Sequence, residues 1–295
     1  MKNDVFITGT SCYFPNKPVS NEDMEDFLGL ITGKHSRVKP VILKQNGIKQ
    51  RYYALTKEQK ITHTNAEMAV NSILQLLKNS DISNSEIELL SCATSSPDQM
   101  LPSHASMVHG LLKNKPLEIF SASGICLSCL QAFKTAFWGV LSGEKRNAIC
   151  STSELTSATL LSKNYDIEYE KCADLGVQPY MALEKDFLRF MLSDGASAVL
   201  LQNNPGNGKA LHVEWVEMTS YANELPTCMY MGAERKENGE LKSWKSFNNL
   251  ERTEQSLFVV KQDVKLLGAH AVPYWAKHIK YCLEKHNVAP ESISY

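Results

Sequence analysis

Residues 120–133 read FSASGICLSCLQAF, an apolar strand end followed by small residues and a helix that we expect to run to about Leu141. Cys126 stands at the start of that helix, and Cys129 follows one turn later. A helix N-terminus favours an anionic sulfur, and its free amide groups can hold an oxyanion. Cys126 therefore fits a nucleophile, whereas Cys129 lies one turn inside the helix and fits a packing residue.

The C-x-x-C spacing of the two cysteines leaves three other interpretations. A structural zinc site needs four ligands, and the chain has neither a second C-x-x-C nor a C-x-x-H. A dithiol redox pair is the second, although such pairs usually have more polar surroundings. The third is two structural cysteines in a helix that is apolar nearly all round and therefore predicted to be buried. Its main apolar stripe comprises Cys126, Leu130, Phe133, Phe137, Val140 and Leu141.

The composition is that of an ordinary globular protein, with 295 residues, 43% hydrophobic and 21% charged. A net charge of −1 gives no electrostatic reason to expect a nucleic acid or an anionic membrane as partner. No apolar run reaches the roughly 18 residues of a membrane-spanning helix. The eight cysteines are dispersed along a chain too large to need disulfides, so free thiols and a cytoplasmic location are expected.

Strand-like and helix-like stretches alternate along the first two thirds of the chain, and the strands are near-continuous apolar runs. This pattern predicts an α/β fold with a parallel sheet covered on both faces. Polar and aromatic residues at 157–185 indicate an insertion or lid. The breaker cluster NNPGNGKA at 203–210 separates residues 1–205 from a second half, 206–295. That half is expected to begin with a strand at Leu211 and to contain one long helix, about residues 259–286.

Four segments carry a resemblance to a known family. They are the cysteine stretch, NGIKQRYYA at 46–54, CATSSPDQMLPSHASMVHGLL at 92–112 and SDGASAVLL at 193–201. In their order along the chain they resemble the thiolase-fold condensing enzymes, most of all β-ketoacyl-ACP synthase III. The resemblance implies duplicated βαβαβαββ halves in a five-layer αβαβα arrangement, with the second half incomplete.

The same resemblance implies site residues and partners. Cys126 takes the position of the nucleophile, and Cys129 falls where the family often has a packing phenylalanine. Leu101 lies in a segment that crosses the family's dimer interface, so it is expected to line the partner's acyl pocket in a homodimer. The substrates would be thioesters of CoA or of an acyl carrier protein, with no metal and no separate cofactor.

Residues 21–68 resemble the DarB/StlD-type ketosynthases of dialkylresorcinol pathways, which implies a role in secondary metabolism. The alternatives are a housekeeping synthase that initiates fatty-acid synthesis and a catalytically silent partner subunit. The family also has a His and an Asn that stabilise the enolate, the His in a Pro-His context after the strand that ESISY would begin. None of the eight histidines has that setting, so a C-terminally truncated fragment without the condensing step is predicted.

Three further features have weaker interpretations. Glu154 ends a predicted strand, where α/β sites gather, but a structural role is expected. Asp194 and Gly195 are predicted to form a structural turn. The basic run between Lys34 and Arg51 could meet the phosphates of CoA or an acidic carrier protein, or could be a solvated face.

Overall fold

The computed structural model describes residues 3–174 and 186–294 of the chain. Its strands are β1 Phe6–Tyr13, β2 Val19–Ser20, β3 Gln50–Arg51, β4 Leu89–Thr94, β5 Glu118–Ser123, β6 Asn147–Glu154, β7 Gly195–Gln202, β8 Leu211–His212, β9 Met229–Tyr230, β10 Ala233–Arg235, β11 Leu241–Ser243 and β12 Lys261–Gln262. Its helices are α1 Met24–Leu28, α2 Lys39–Asn46, α3 Asn65–Lys78, α4 His104–Leu112, α5 Leu127–Leu141, α6 Asp166–Asp174, α7 Asn249–Glu254 and α8 Val264–His286.

The central sheet has six strands in the order β5-β4-β6-β7-β1-β8. β4 is parallel to β5 and β6, but β7 runs antiparallel to both β6 and β1. The prediction of a parallel sheet is therefore wrong for β7. A continuous apolar run indicates that a strand is buried on both faces, and it carries no information about strand direction.

Helices cover both faces of the sheet. On one face α3 and α4 pack on β4, β6 and β7 through Ile73, Leu76, Leu90, Ile149 and Leu200. On the other face α5 packs on the sheet through Ala132, Ala136 and Phe137, opposite Leu89 and Ala93. Small residues on α5 let its axis approach the sheet closely, so the N-terminal end of α5 is held at the edge where β4, β5 and β6 end.

The face of α5 that points away from the sheet is more exposed than the sequence predicts. Leu127 is 47% exposed and Trp138 is 55% exposed. The buried positions are Ser128, Ala132, Ala136, Phe137 and Val140, a stripe that differs from the predicted one. The expectation of a helix buried all round is therefore wrong, since within the described residues only one side of α5 faces the sheet.

Residues 206–294 form short elements and one long helix. The predicted strand from Leu211 is reduced to β8, because its antiparallel partner β1 begins at Phe6, which pairs with His212. One further bond joins the amide of Val213 to the carbonyl of Val5 at 2.8 Å. The predicted helix is confirmed as α8, which starts where Asp263 accepts the amide of Leu266 at 2.9 Å. The boundary between the two predicted halves stays a prediction.

Two further points concern the described part of the chain. None of its helices combines the length and the apolar character that crossing a membrane requires. The predicted insertion at 157–185 contains α6, and its residues 175–185 lie outside the described residues.

Candidate active site

Cys126 lies at the junction between β5 and α5. β5 ends at Ser123, the chain bends through Gly124 and Ile125, and α5 begins at Leu127 with Cys126 as its N-cap residue. No side chain caps this helix end, and the thiol-bearing residue is exposed. The 15-residue helix has its N-terminus, the positive end of its dipole, at this residue. The position predicted for the nucleophile is thus open to a reagent from solvent.

The first amide groups of α5 are not all available for a ligand. The amide of Ser128 bonds the carbonyl of Ile125 at 2.9 Å. An oxyanion on an acyl group at Cys126 would therefore be met by amides nearer the junction, and the amide of Cys126 itself has the right position in the chain.

Cys129 is exposed, and the expectation of a buried filler is wrong. Its thiol donates a hydrogen bond to the carbonyl of Cys126 at 2.9 Å. Burial of the sulfur raises the pKa of Cys129, and Cys126 and Glu154 add to the effect by Coulomb repulsion. Cys129 is therefore held as a neutral thiol beside the backbone of Cys126.

Leu101 lies in the loop between β4 and α4, and its side chain is 85% exposed. Its neighbour Met100 is 71% exposed. Leu101 is not among the residues that line the two cavities beside α5. Within a single chain the structure does not bring Leu101 and Cys126 into one cavity, and the predicted role of Leu101 in a second subunit stays a prediction.

Glu154 joins the ends of two neighbouring strands. Its carboxylate accepts bonds from the amide and hydroxyl of Ser95 at 2.8 and 2.7 Å, and from the hydroxyl of Ser96 at 2.6 Å. These donors follow β4, so Glu154 at the end of β6 fixes the edge of the sheet beside the cysteines. The contacts fit the structural role expected for Glu154. Asp194 also has structural contacts: it is buried, and its carboxylate accepts the backbone amides of Ala54 and Ser157 at 2.7 and 2.8 Å.

His104 is a buried histidine beside the end of β6 that the sequence does not single out. It begins α4, is buried, and its Nε2 lies 3.0 Å from the hydroxyl of Ser153. Burial lowers the pKa of His104 to about 4, so the ring is neutral at physiological pH. Its local sequence, PSHAS, gives no sign of this burial, since the contact depends on a residue 49 positions away.

Arg51 is buried, so the expectation that the whole basic run from Lys34 to Arg51 faces solvent or a ligand is wrong for this residue. Its side chain is buried, with bonds to Asn21 Oδ1 at 2.7 Å and to the carbonyl of Phe190. Its guanidinium is therefore committed to the protein interior and does not face a CoA phosphate. Lys39 pairs with Glu25 at 3.1 Å. Lys34, Arg37, Lys44 and Lys49 are exposed, and their predicted role stays a prediction.

A cavity of about 480 Å³ begins at Leu127, the residue after Cys126. α5 contributes one wall, and α8 with the segment before β9 contributes the other. The lining is mainly apolar, with Leu127, Leu130, Met218, Leu225, Pro226, Leu266, Leu267, Ala271 and Trp275. His270 and His278 also line it, half-buried on one face of α8. In the described part of the chain no group of three or more His, Cys, Asp and Glu side chains is placed to hold a metal ion.

Comparison with known proteins gives relatives but no matching family model. The chain is 28% identical over 206 residues to β-ketoacyl-[acyl-carrier-protein] synthase III of Clostridium acetobutylicum, covering 70% of this chain and 53% of that protein. It is 30% identical over 154 residues to the protein of the same name from Ehrlichia canis, covering 52% and 44%. The chain thus spans about half the length of the curated relatives it matches.

Two solved structures show the fold. AbyA1, a tetronic acid condensing enzyme, matches with a TM-score of 0.69 at 18% identity, over 99% of this chain and 76% of its own. OleA of Xanthomonas campestris with bound acetamide matches with a TM-score of 0.51 at 19% identity, over 68% and 58%. The predicted α/β fold class is confirmed: the chain has the fold of the thiolase-type condensing enzymes, and its curated relatives are named β-ketoacyl-[acyl-carrier-protein] synthase III.

Proposed function

We propose that the chain is an acyl-transferring condensing enzyme of the β-ketoacyl-ACP synthase III type, with Cys126 as the acyl acceptor. The observation that carries the proposal is the exposed thiol of Cys126 at the uncapped start of α5, where the strands of the sheet end. Among the described cysteines, Cys92 and Cys150 are buried and Cys129 donates its thiol to the backbone, so none of them has an equivalent position.

The chemistry at Cys126 is thioester exchange. The sulfur of Cys126 attacks the carbonyl carbon of an acyl thioester, the bond from that carbon to the donor sulfur breaks, and the donor leaves as a thiol. The thiol proton of Cys126 is balanced by the proton on the released CoA or carrier thiol. Backbone amides at the start of α5 stabilise the tetrahedral oxyanion, because they are fixed in place before the reaction.

The acyl chain occupies the apolar cavity beside α5. One wall of this cavity begins at Leu127, the residue that follows Cys126 in the sequence. The volume of the cavity, about 480 Å³, suits a medium-length alkyl chain more than an acetyl group alone. A chain placed there is removed from water by Leu130 and Leu267. The cavity thus supports a substrate longer than the acetyl group of an initiation synthase.

The condensation we propose, which needs the His and Asn of the family in addition to Cys126, joins this acyl group to a second thioester. One of the two is a β-ketoacyl thioester, as in the DarB/StlD-type ketosynthases that residues 21–68 resemble. The second candidate is a housekeeping initiation synthase, and the names of the curated relatives favour it. We also propose a homodimer in which Leu101 reaches the acyl pocket of the second copy, because its side chain is 85% exposed in one chain.

Intact-mass spectrometry after incubation with acyl-CoA tests the first step. We expect one acyl adduct on the wild type and on Cys129→Ala, and none on Cys126→Ala. Equal adducts on the two variants would refute the assignment of Cys126. Competition between acetyl-CoA and octanoyl-CoA then separates the two candidates, since preferential acetylation would favour the housekeeping reaction.

A further inference from the structure

The backbone brings the two cysteines into helical register. Cys126 has φ −48° and ψ −30°, so the helical conformation extends to it although α5 is counted from Leu127. Residues three apart in a helix have Cα atoms about 5 Å apart, from the rise and radius of the helix. Disulfides join cysteines whose Cα atoms are about 4.4–6.8 Å apart. The Cα separation of Cys126 and Cys129 therefore lies within the range of disulfides, and their Cβ atoms, about 5–6 Å apart in a regular helix, have to approach to about 3.5–4.5 Å.

The two side chains also meet the requirements of access and contact. Both residues are exposed, and Cys126 at the helix start is the one that an oxidant from solvent meets first. The thiol of Cys129 already lies 2.9 Å from the carbonyl oxygen of Cys126. Closing the bond requires rotation of both side chains and a small tightening of the first turn of α5, of which Cys126 is the N-cap residue.

Three other thiols differ from that of Cys129 in their exposure or in their place in the fold. Cys92 and Cys150 are buried in the sheet, and burial raises the pKa of both, that of Cys150 to about 12. The thiol of Cys150 lies 4.0 Å from the carbonyl of Cys129 and is shielded from solvent. Cys12 is exposed but lies in β1. Of these thiols, only that of Cys129 combines exposure with a place one helical turn from Cys126.

We propose that Cys126 and Cys129 form a reversible disulfide when the protein meets a peroxide. The thiolate of Cys126 attacks the peroxide, which releases one water and leaves a sulfenic acid on Cys126. The sulfur of Cys129 then attacks that sulfenic sulfur and releases a second water. Overall the two thiols give up two protons and two electrons, and one hydrogen peroxide becomes two waters. A dithiol reductant restores both thiols by exchange.

The disulfide has two consequences for the site. It occupies the sulfur that accepts the acyl group, so acyl transfer stops while the oxidised form lasts; this consequence rests on the proposed function. It also protects Cys126, because a sulfenic acid with no partner thiol is oxidised further to a sulfinic acid that dithiols do not reduce.

Peptide mapping after peroxide treatment tests the disulfide independently of any activity. Free thiols are alkylated and the full chain is digested with trypsin, which leaves both cysteines in one peptide, residues 114–134. We expect that peptide to lose two hydrogens and take up no alkyl group, and to take up two alkyl groups after dithiothreitol. In Cys129→Ser we expect a dimedone adduct on Cys126 and, with more peroxide, its sulfinic acid. Cys12→Ser is the control and should behave as the wild type.

Three results would overturn the proposal: alkylation of both cysteines after oxidation, a sulfinic acid on Cys126 of the wild type, or a crosslink between Cys129 and Cys150. The acyl adduct is measured on the same samples. We expect its loss on oxidation and its return with dithiothreitol. A reduced wild type that forms no adduct would refute the proposed function, while the peptide map would still decide on the disulfide.

Discussion

The carboxylate of Asp98 caps the first turn of α3 by accepting the amide of Asn65 at 2.8 Å, and its second oxygen accepts the amide of Ala66 at 2.9 Å. Asp98 belongs to the loop that carries Leu101, whereas Asn65 and Ala66 are the first two residues of α3. One side chain therefore satisfies two helix amides and anchors the loop.

We expect Asp98→Ala to lower the free energy of unfolding by about 1–2 kcal/mol, as the loss of a helix cap does. Urea denaturation measures this change. Amide hydrogen exchange should also become faster in residues 96–101, because the loop loses its anchor. The exposed Asp81→Ala serves as the control and should change neither quantity. Unchanged exchange in the Asp98 variant would mean that the loop is fixed by other contacts.

The lowered pKa of His104 predicts that the free energy of unfolding falls in acid. The unfolded chain takes up a proton on this ring near pH 6.5, whereas the folded protein does so only near pH 4. The stabilisation from the neutral ring is present above about pH 6.5 and is lost as the pH falls to about 4. The shift corresponds to about 3 kcal/mol.

Urea denaturation of His104→Gln at pH 4.5 and pH 7.5 measures this contribution. Glutamine keeps a donor for Ser153 and does not titrate, so we expect the variant to lose less stability between the two pH values than the wild type. His109→Gln, on the same helix and partly exposed, should retain the wild-type dependence. Identical slopes for wild type and His104→Gln would contradict the role assigned to burial.

Substitution of Glu154 tests whether its carboxylate has a structural or a catalytic role. We expect Glu154→Ala to lower the free energy of unfolding by about 2 kcal/mol, since it leaves the donors of Ser95 and Ser96 without their charged acceptor. The yield of acyl adduct per folded molecule should stay the same. Glu144→Ala, an exposed glutamate after α5, is the control. A fall in adduct at unchanged stability would instead place Glu154 in the chemistry.

Leu267 tests whether the cavity beside α5 holds the acyl chain. Leu267→Phe narrows the cavity, so we expect acylation by octanoyl-CoA to fall about tenfold relative to acetyl-CoA. The ratio of the two rates in one protein cancels any loss of folded material. Val272→Phe lies on the same helix at a position that is 70% exposed, and its ratio should not change. An unchanged ratio in Leu267→Phe would exclude the cavity as the acyl site.

The sequence predicts well where each element can be recognised from its own residues. The amphipathic pattern at 62–80 predicts a helix, and α3 occupies 65–78 because Thr64 accepts the amide of Glu67 at 3.2 Å and ends the irregular segment. The small residues before Cys126 predict the junction of β5 and α5. In both cases the contacts that determine the start of the helix are between residues close together in the sequence.

The sequence does not predict the features that depend on contacts between residues far apart in the chain. Asp98 caps a helix that starts 33 positions earlier, and no local pattern identifies this contact. The strand expected from Leu211 would continue past His212 only if residues before Phe6 paired with it, and β1 begins at Phe6. The exposure of Leu127 and Trp138 depends on what packs against the outer side of α5, and the apolar character of the helix cannot reveal it.

β1 has consequences for the order of folding during synthesis. Its two neighbours in the sheet are β7 and β8, which follow it by almost the length of the first predicted half. The ribosome therefore releases β1 long before any partner exists, whereas β4, α4, β5, α5 and β6 can assemble from adjacent segments. β1 is made before the other strands of its sheet and is among the last of them to be hydrogen-bonded, so both of its edges stay unpaired during that interval and are open to aggregation.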